Sequence, residues 1–379
     1  MIEANRRYKR LFHKDVISLT PEKKSEENVL LSYIISPFRY SIDNPVFYSH
    51  TNMWECLQIA QTWLNHGYNV DIIDWDNAWF HPIKEYSKFI DIHSNMERIA
   101  PLLGKDCTKI LHITGAHWRF QNAAEMKRIS DLNTRRGIEL KPRRQVVPSL
   151  GIEYADCATI LGNKFTQDTF AYAKKPLYPI PLSSTVQLPF MEKNFEKIRK
   201  NFLWIGSSGM VHKGLDLVLD AFSELPDYNL KICGPVHQEP DFEEAYFKEL
   251  YKSDNVKTLG FVDVNSYQFG EIIKNTNALI YPSCSEGQAG SVITCLHAGI
   301  IPVISYESGV DVEDFGIILK KNSVEEIVNS IKDLSKKSGN ELHMMSKKAW
   351  LYARSHHTRE KFSESYENFV NHMITSGNE

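Results

Sequence analysis

No apolar run in the 379-residue sequence approaches the length needed to span a bilayer, and the opening residues MIEANRRYKRLFHKDV lack the apolar core of a signal peptide. Both features lead us to expect a cytoplasmic protein. Cysteine is sparse. The six residues Cys56, Cys107, Cys157, Cys233, Cys284 and Cys295 form no C-x-x-C pair. That excludes a disulfide scaffold or a zinc ribbon and predicts reduced, mostly buried thiols. Charge of one sign is lacking too. The formal net charge of −3 gives no general attraction to nucleic acid. No G-x-G-x-x-G follows the first apolar strand, Val29 to Phe38, which argues against a simple NAD dehydrogenase. Short-period repeats and low-complexity tracts are missing as well.

What is present is alternation. Strand signals at Val29 to Phe38, Val70 to Trp75, Phe89 to Ile92, Lys109 to Thr114, Asp156 to Leu161 and Leu177 to Ile180 are separated by helical or polar stretches. A helix is predicted over Asn52 to His66, with Met53, Leu57, Ala60 and Leu64 on its buried face, and another from Gln121 to Arg136. Pro181 to Lys200 mixes Pro, Ser and charge and reads as a linker. The pattern then restarts with strands at Phe202 to Ile205, Asn229 to Cys233, Val256 to Phe261, Ala278 to Tyr281 and Pro302 to Ser305. Helices are predicted at Gly214 to Glu224, Phe242 to Tyr251 and Ser266 to Lys274. Repeated βα units give parallel sheets covered by helices on both faces. The expected fold class is α/β: two Rossmann-like domains facing a cleft. The expected divisions are a polar arm (1–28), a first domain (29–190), a second domain (200–355) and a C-terminal helix (356–379) crossing back. Phe362, Tyr366, Phe369 and Val370 form the apolar face of that helix.

The segment Ser283 to Ser305, SCSEGQAGSVITCLHAGIIPVIS, carries the most chemistry. It reads as a strand end, a Gly-rich acidic turn, a helix and a strand. A helix start offers unpaired N–H groups and partial positive charge, which suit a diphosphate. Glu286 beside those amides is suited to gripping sugar hydroxyls. An anion cradle next to such a carboxylate is what a nucleotide-sugar site needs.

From Phe202 to Gly316 the chain resembles the GT-B glycosyltransferases, specifically the retaining glycosyltransferase family 4. FLWIGSSGMVHKGLDLVLDAF resembles that family's strand, glycine, Lys-Gly and helix element. NVKTLGFVDVNSYQ resembles the strand before its base pocket, and ALIYPSCSEGQAGSVITCLHAGIIPVIS its donor motif. In the first half, HTNMWECLQIAQTWLNHGYNVDIIDW resembles the family's first helix and second strand, and ILHITGAHW the strand carrying an active-site His. The resemblance implies retaining transfer of a sugar from a UDP- or GDP-sugar, with the nucleotide sugar as co-substrate, no further cofactor and no metal. His117, Lys213 and Glu286 would be the catalytic residues. Gly206, Ser207, Lys213, Glu286, Gly287, Gln288, Ala289, Gly290, Ser291 and Thr294 would bind the donor. A carbohydrate or lipid-linked acceptor is implied, the latter with weak membrane-surface contact.

Three features depart from the family pattern, one being the usual Gly-Gly loop of the first domain, in whose place stand His50 and Thr51 after Tyr48 and Ser49. Thr294 stands where the family has a second Glu, and Ser207, Ser208 and Gly209 where it has an Arg. A non-catalytic nucleotide-sugar binder or a GT-B epimerase therefore stays open. Asp74-Trp75-Asp76 is a D-x-D at a strand end, and its expected role is structural. His112, inside a strand, is expected to be a packed core residue. Arg135, Arg136, Lys141, Arg143 and Arg144 form a basic cluster, read as a solvated loop or as a surface for an anionic acceptor.

Overall fold

The structure, a computed structural model, describes residues 15–23 and 25–375. Two sheets organise them. The first contains β1 (Ile17–Leu19), β2 (Asn28–Tyr33), β3 (Asn69–Asp74), β4 (Lys88–Asp91), β5 (Thr108–Ile113), β6 (Cys157–Ile160) and β7 (Leu177–Pro179), in the order β1-β3-β2-β4-β5-β6-β7. All pairs are parallel except β1 with β3. Thus Ile17–Leu19, within the stretch expected as a polar arm, is instead an antiparallel edge strand, and Ser18 hydrogen-bonds Asp71 at 2.7 Å. Residues 1–14 and 24 of that expected arm lie outside the described residues.

The second sheet is wholly parallel. It contains β8 (Asn201–Ile205), β9 (Asn229–Cys233), β10 (Val256–Gly260), β11 (Ala278–Tyr281), β12 (Ile301–Ser305) and β13 (Ile317–Leu319), in the order β10-β9-β8-β11-β12-β13. The strands run outward from β8 in one direction and from β11 in the other. The switch point therefore lies between β8 and β11, and a crevice opens at their carboxyl ends. Lys213 lies beyond β8 and Glu286 beyond β11, so topology alone brings the two loops together.

Several local readings shift. The buried stripe of helix Thr51–Asn65 is Met53, Cys56, Ile59, Ala60 and Trp63, not Leu57 and Leu64. The cause is a second partner, because helix Arg359–Thr375 packs against it. Trp63 Nε1 donates to Tyr366 Oη at 3.2 Å, and Phe362, Tyr366, Phe369 and Val370 are buried. Arg359 Nη2 donates to the Phe47 carbonyl at 3.0 Å. The chain enters this helix beside its first crossing between the sheets: His357 Nδ1 lies 3.3 Å from the Leu182 carbonyl. The expected helix over Phe242 to Tyr251 is two pieces, Pro240–Ala245 and Phe247–Tyr251. The expected linker contains a short helix, Phe195–Ile198. All six cysteines are buried and free. No helix among the described residues is long and apolar enough to cross a membrane.

Candidate active site at the interdomain crevice

The turn after β11 is built by close packing. Glu286 N donates to the Glu307 carbonyl and Ala289 N to the Ser308 carbonyl, both at 2.9 Å. Gly309, at φ +73°, closes the supporting turn, and a Cβ there would run into the Gly287 carbonyl. Gly287 itself faces the first sheet. A Cβ on it would collide with Thr114 and lie 3.0 Å from Gly115 Cα, while its carbonyl accepts from Thr166 Oγ1 at 3.0 Å. Only glycine fits a backbone pinned from both sides. Arg128 Nη1 bonds the Pro282 carbonyl at 3.0 Å, adding a third tie across the crevice.

The acidic turn is therefore less bare than its sequence implies, since the amides of Glu286 and Ala289 are already bonded. Among the described residues, the amides of Gly287, Gln288, Gly290 and Ser291 have no hydrogen-bond partner. Gly290 and Ser291 open helix Gly290–His297 and are accessible to solvent. They provide the partial positive charge of a helix start at the crevice. Gln288 turns the other way, accepting from Leu182 N at 2.7 Å. Thr294 is buried one turn further into the helix.

Lys213 and Glu286 meet here. Lys213 Nζ lies 2.7 Å from Glu286 Oε1 and 2.9 Å from Tyr281 Oη. Tyr281 Oη donates to Glu286 Oε1 at 2.9 Å, and Ser283 Oγ does so at 3.1 Å. Oε1 is thus saturated by three donors, while Oε2 accepts no hydrogen bond among the described residues. Burial would raise the Glu286 pKa, but Lys213 first, then His212 and Arg144, pull it down to about 2. The carboxylate is ionised throughout the physiological range. Gly206 lies under the Lys213 stem, where a Cβ would come within 3.0 Å of Lys213 Cδ, and Ser207 beside it is exposed. Tyr281 and Ser283 were not singled out in the sequence. Their signal was position: polar hydroxyls at the carboxyl end of a strand beside the acidic turn.

His117 is placed differently. It caps helix Trp118–Arg136, its Nδ1 accepting from Arg119 N at 3.3 Å. The proton of the neutral ring is thereby assigned to Nε2, which lies 3.1 Å from Tyr172 Oη. Tyr172 donates in turn to Glu153 at 2.8 Å. Burial lowers the His117 pKa, opposed by Glu153, and favours the neutral ring. No hydrogen bond joins His117 to Lys213 or Glu286 among the described residues. Its loop does reach the donor turn, through the contact of Thr114 and Gly115 with Gly287. His112 is a core residue bonded to Thr159 at 2.8 Å, its pKa lowered to about 4 by burial. Asp74 accepts from Ile35 N at 3.0 Å.

Lys141 and Arg143 of the basic cluster lie in an exposed loop, but three of its arginines are ion-paired. Arg135 pairs with Asp216 and Asp220 at 2.9 and 2.6 Å, and Arg136 with Asp220 and Glu249 at 2.9 and 2.6 Å. Arg143 pairs with Asp241. These acidic partners all belong to the second sheet's side, so the cluster clasps the two halves together. Among the described residues, no group of three or more His, Cys, Asp or Glu could hold a metal ion.

Comparison with known proteins bears on the fold. Residues 190–350 match the family model of glycosyl transferases group 1. The fold is that of sucrose-phosphate synthase from Thermosynechococcus elongatus, with 12% identity over 93% of this chain and 100% of that one, at a TM-score of 0.62. Anabaena HepE, solved with UDP and glucose, is similar at 12% identity over 92% and 99%, with a TM-score of 0.56. S. aureus TarM is similar at 13% identity over 75% of this chain, with a TM-score of 0.54, and the match spans only 55% of that longer chain. No curated protein sequence matches significantly. The fold is the GT-B fold of these structures, two parallel-sheet Rossmann-like bodies. The stretch that matches the glycosyl transferases group 1 model, residues 190–350, contains Lys213 and Glu286.

Proposed function

We propose that the protein transfers a sugar from a nucleotide-diphosphate sugar, UDP- or GDP-linked, to a carbohydrate acceptor in the cytoplasm, with retained anomeric configuration and without a metal. One observation carries this reading. At the sheet's switch point, an ionised carboxylate with one free oxygen sits beside a buried ammonium and two accessible helix-start amides. That set matches the three parts of a nucleotide sugar: hydroxyls, diphosphate and the bond between them.

In this mechanism the Gly290 and Ser291 amides receive the diphosphate and Glu286 Oε2 accepts from the sugar hydroxyls. As the glycosyl–phosphate bond breaks, charge builds on the leaving phosphate. Lys213 and the helix start stabilise that charge more than they stabilise the bound donor. His117 is assigned the first-domain side of the reacting sugar, where the donor would replace Tyr172 as the partner of Nε2–H. Anabaena HepE has been solved with UDP and glucose and with UDP-glucose, which supports a UDP-sugar here.

The test is turnover. The protein is incubated with UDP- and GDP-sugars and a panel of saccharide acceptors. Nucleotide release is followed, and the product's anomeric centre is read by NMR. Release with a retained anomer is expected. Donors recovered as their epimers would replace transfer by epimerisation. Donors that bind without any release would make the protein a binder.

A further inference from the structure

Lys213 and Glu286 neutralise each other, so a dianionic diphosphate arriving beside them needs another cation. Within the basic cluster, Arg135, Arg136 and Arg143 are all committed to carboxylates. Arg144 is the exception among the cluster's arginines. Its guanidinium has no hydrogen bond or ion pair among the described residues, and its Nε is buried without a partner. An unpartnered buried donor on a permanent cation is costly unless a ligand satisfies it.

The side chain is aimed, not loose. Arg144 N donates to Glu125 Oε1 and Oε2 at 2.8 and 3.1 Å, and its carbonyl accepts from Gln121 Nε2 at 2.6 Å. Both partners project from helix Trp118–Arg136, the helix that His117 caps. From this anchor the Arg144 stem runs over the loop after β8. A Cβ on Gly209, at φ +92°, would come within 2.5 Å of Arg144 Cγ. Gly209 therefore admits the arginine both by its left-handed backbone and by its missing side chain. The nearby carboxylates are engaged with backbone: Glu125 with Arg143 and Arg144, Glu239 with Gly209 and Met210. The Arg144 charge is nonetheless felt at the donor turn, where it helps lower the pKa of Glu286 and opposes the rise that burial gives the pKa of Tyr281.

We infer that Arg144, from the first domain, is a donor-binding residue that supplies the second cation for the nucleotide's diphosphate, across the crevice from Lys213. This rests on the nucleotide-sugar reading above and adds a consequence. The diphosphate site is completed only when both halves of the chain meet.

The test is calorimetric titration of UDP, GDP, uridine and guanosine into wild-type protein and into Arg144→Gln, Arg144→Lys and Arg143→Gln. Loss of a charge-assisted contact should weaken the bound nucleoside diphosphate by about 10- to 100-fold in Arg144→Gln. The matching nucleoside should bind that variant as it binds wild type, which also reports an intact fold. Arg144→Lys should recover part of the loss. Arg143→Gln removes the same charge from a residue paired to Asp241 and should leave affinity within about twofold. If wild type binds the diphosphate and Arg144→Gln binds it equally well, the inference fails while the donor reading stands. It fails likewise if Arg144→Lys is as weak as Arg144→Gln, or if Arg143→Gln loses as much. If wild type binds neither diphosphate, the donor reading fails and this inference with it.

Discussion

Lys213 Nζ and Glu286 Oε1 stand 2.7 Å apart with side chains only 7% and 13% exposed, although the two residues are separated by three strands of sequence. A buried pair of this kind is weak evidence for stability, because desolvation offsets most of its attraction. It is better explained as chemistry kept ready at the crevice. Removing either partner leaves the other uncompensated, and the two removals have different signatures.

Lys213→Ala should lower kcat far more than it raises KM for the donor. The diphosphate gains charge as it leaves, so the ammonium matters most in the transition state. A loss of about 2–4 kcal/mol from the barrier gives a rate drop of about thirty- to a thousandfold. Steady-state kinetics with the true donor check this. A raised KM at constant kcat would reduce Lys213 to uniform binding.

Glu286→Gln should cripple turnover while the protein stays folded near neutral pH. The amide keeps an acceptor for Tyr281 and Ser283 but loses the charge that grips donor hydroxyls. The acid limb of stability should change as well. The folded pKa of Glu286, about 2, lies below the 4.5 of an unperturbed Glu. Its contribution is present above pH 4.5 and is lost as pH falls toward 2. Urea melts between pH 2 and 5 should show a shallower acid slope in the variant than in wild type.

Glu55 should act in the opposite sense. It is fully buried, accepting from Ser183 N and Oγ at 2.9 and 2.7 Å, and burial raises its pKa to about 7. A carboxyl raised in the folded state contributes stability below pH 4.5 that is lost as pH rises through 7. The difference is on the order of 3 kcal/mol. Glu55→Gln should flatten the decline in denaturation midpoint between pH 4.5 and 8. An unchanged slope would mean that Glu55 titrates normally.

Gly309→Ala should cost about 3 kcal/mol or more, because both its backbone conformation and the Gly287 carbonyl exclude a side chain. Gly104→Ala is the control: it is exposed, and a Cβ there meets nothing within 4 Å. Thermal unfolding of the two variants, with similar unfolding temperatures, would contradict the proposed packing of the donor turn.

Much of this was legible in the sequence because βα alternation leaves a strong periodic signal. The strands Asn229–Cys233 and Ala278–Tyr281 fall where their apolar runs place them. Short or two-sided elements were harder to read. β1 is three residues of ordinary polarity and exists only through its pairing with β3. The buried face of helix Thr51–Asn65 shifted because helix Arg359–Thr375, about 300 residues away, covers it. At the site, the turn Glu286 to Ser291 announced itself through glycine and charge. The commitment of the Ala289 amide to Ser308, the enclosure of His117 by Tyr172, and the pairing of the basic cluster with Asp216, Asp220, Asp241 and Glu249 depend on segments far apart in sequence. No local pattern encodes them.

The central claim is that the crevice binds a nucleotide sugar through Lys213 and Glu286. Its most direct test is the unfolding temperature of the protein measured against a panel of UDP- and GDP-sugars, with Glu286→Gln run alongside. A donor present at a hundredfold its dissociation constant adds about 2.7 kcal/mol to unfolding. We predict that at least one member of the panel raises the wild-type unfolding temperature and that the variant loses most of the shift. A panel in which no nucleotide sugar stabilises the wild type, or in which one stabilises both proteins equally, would contradict the account.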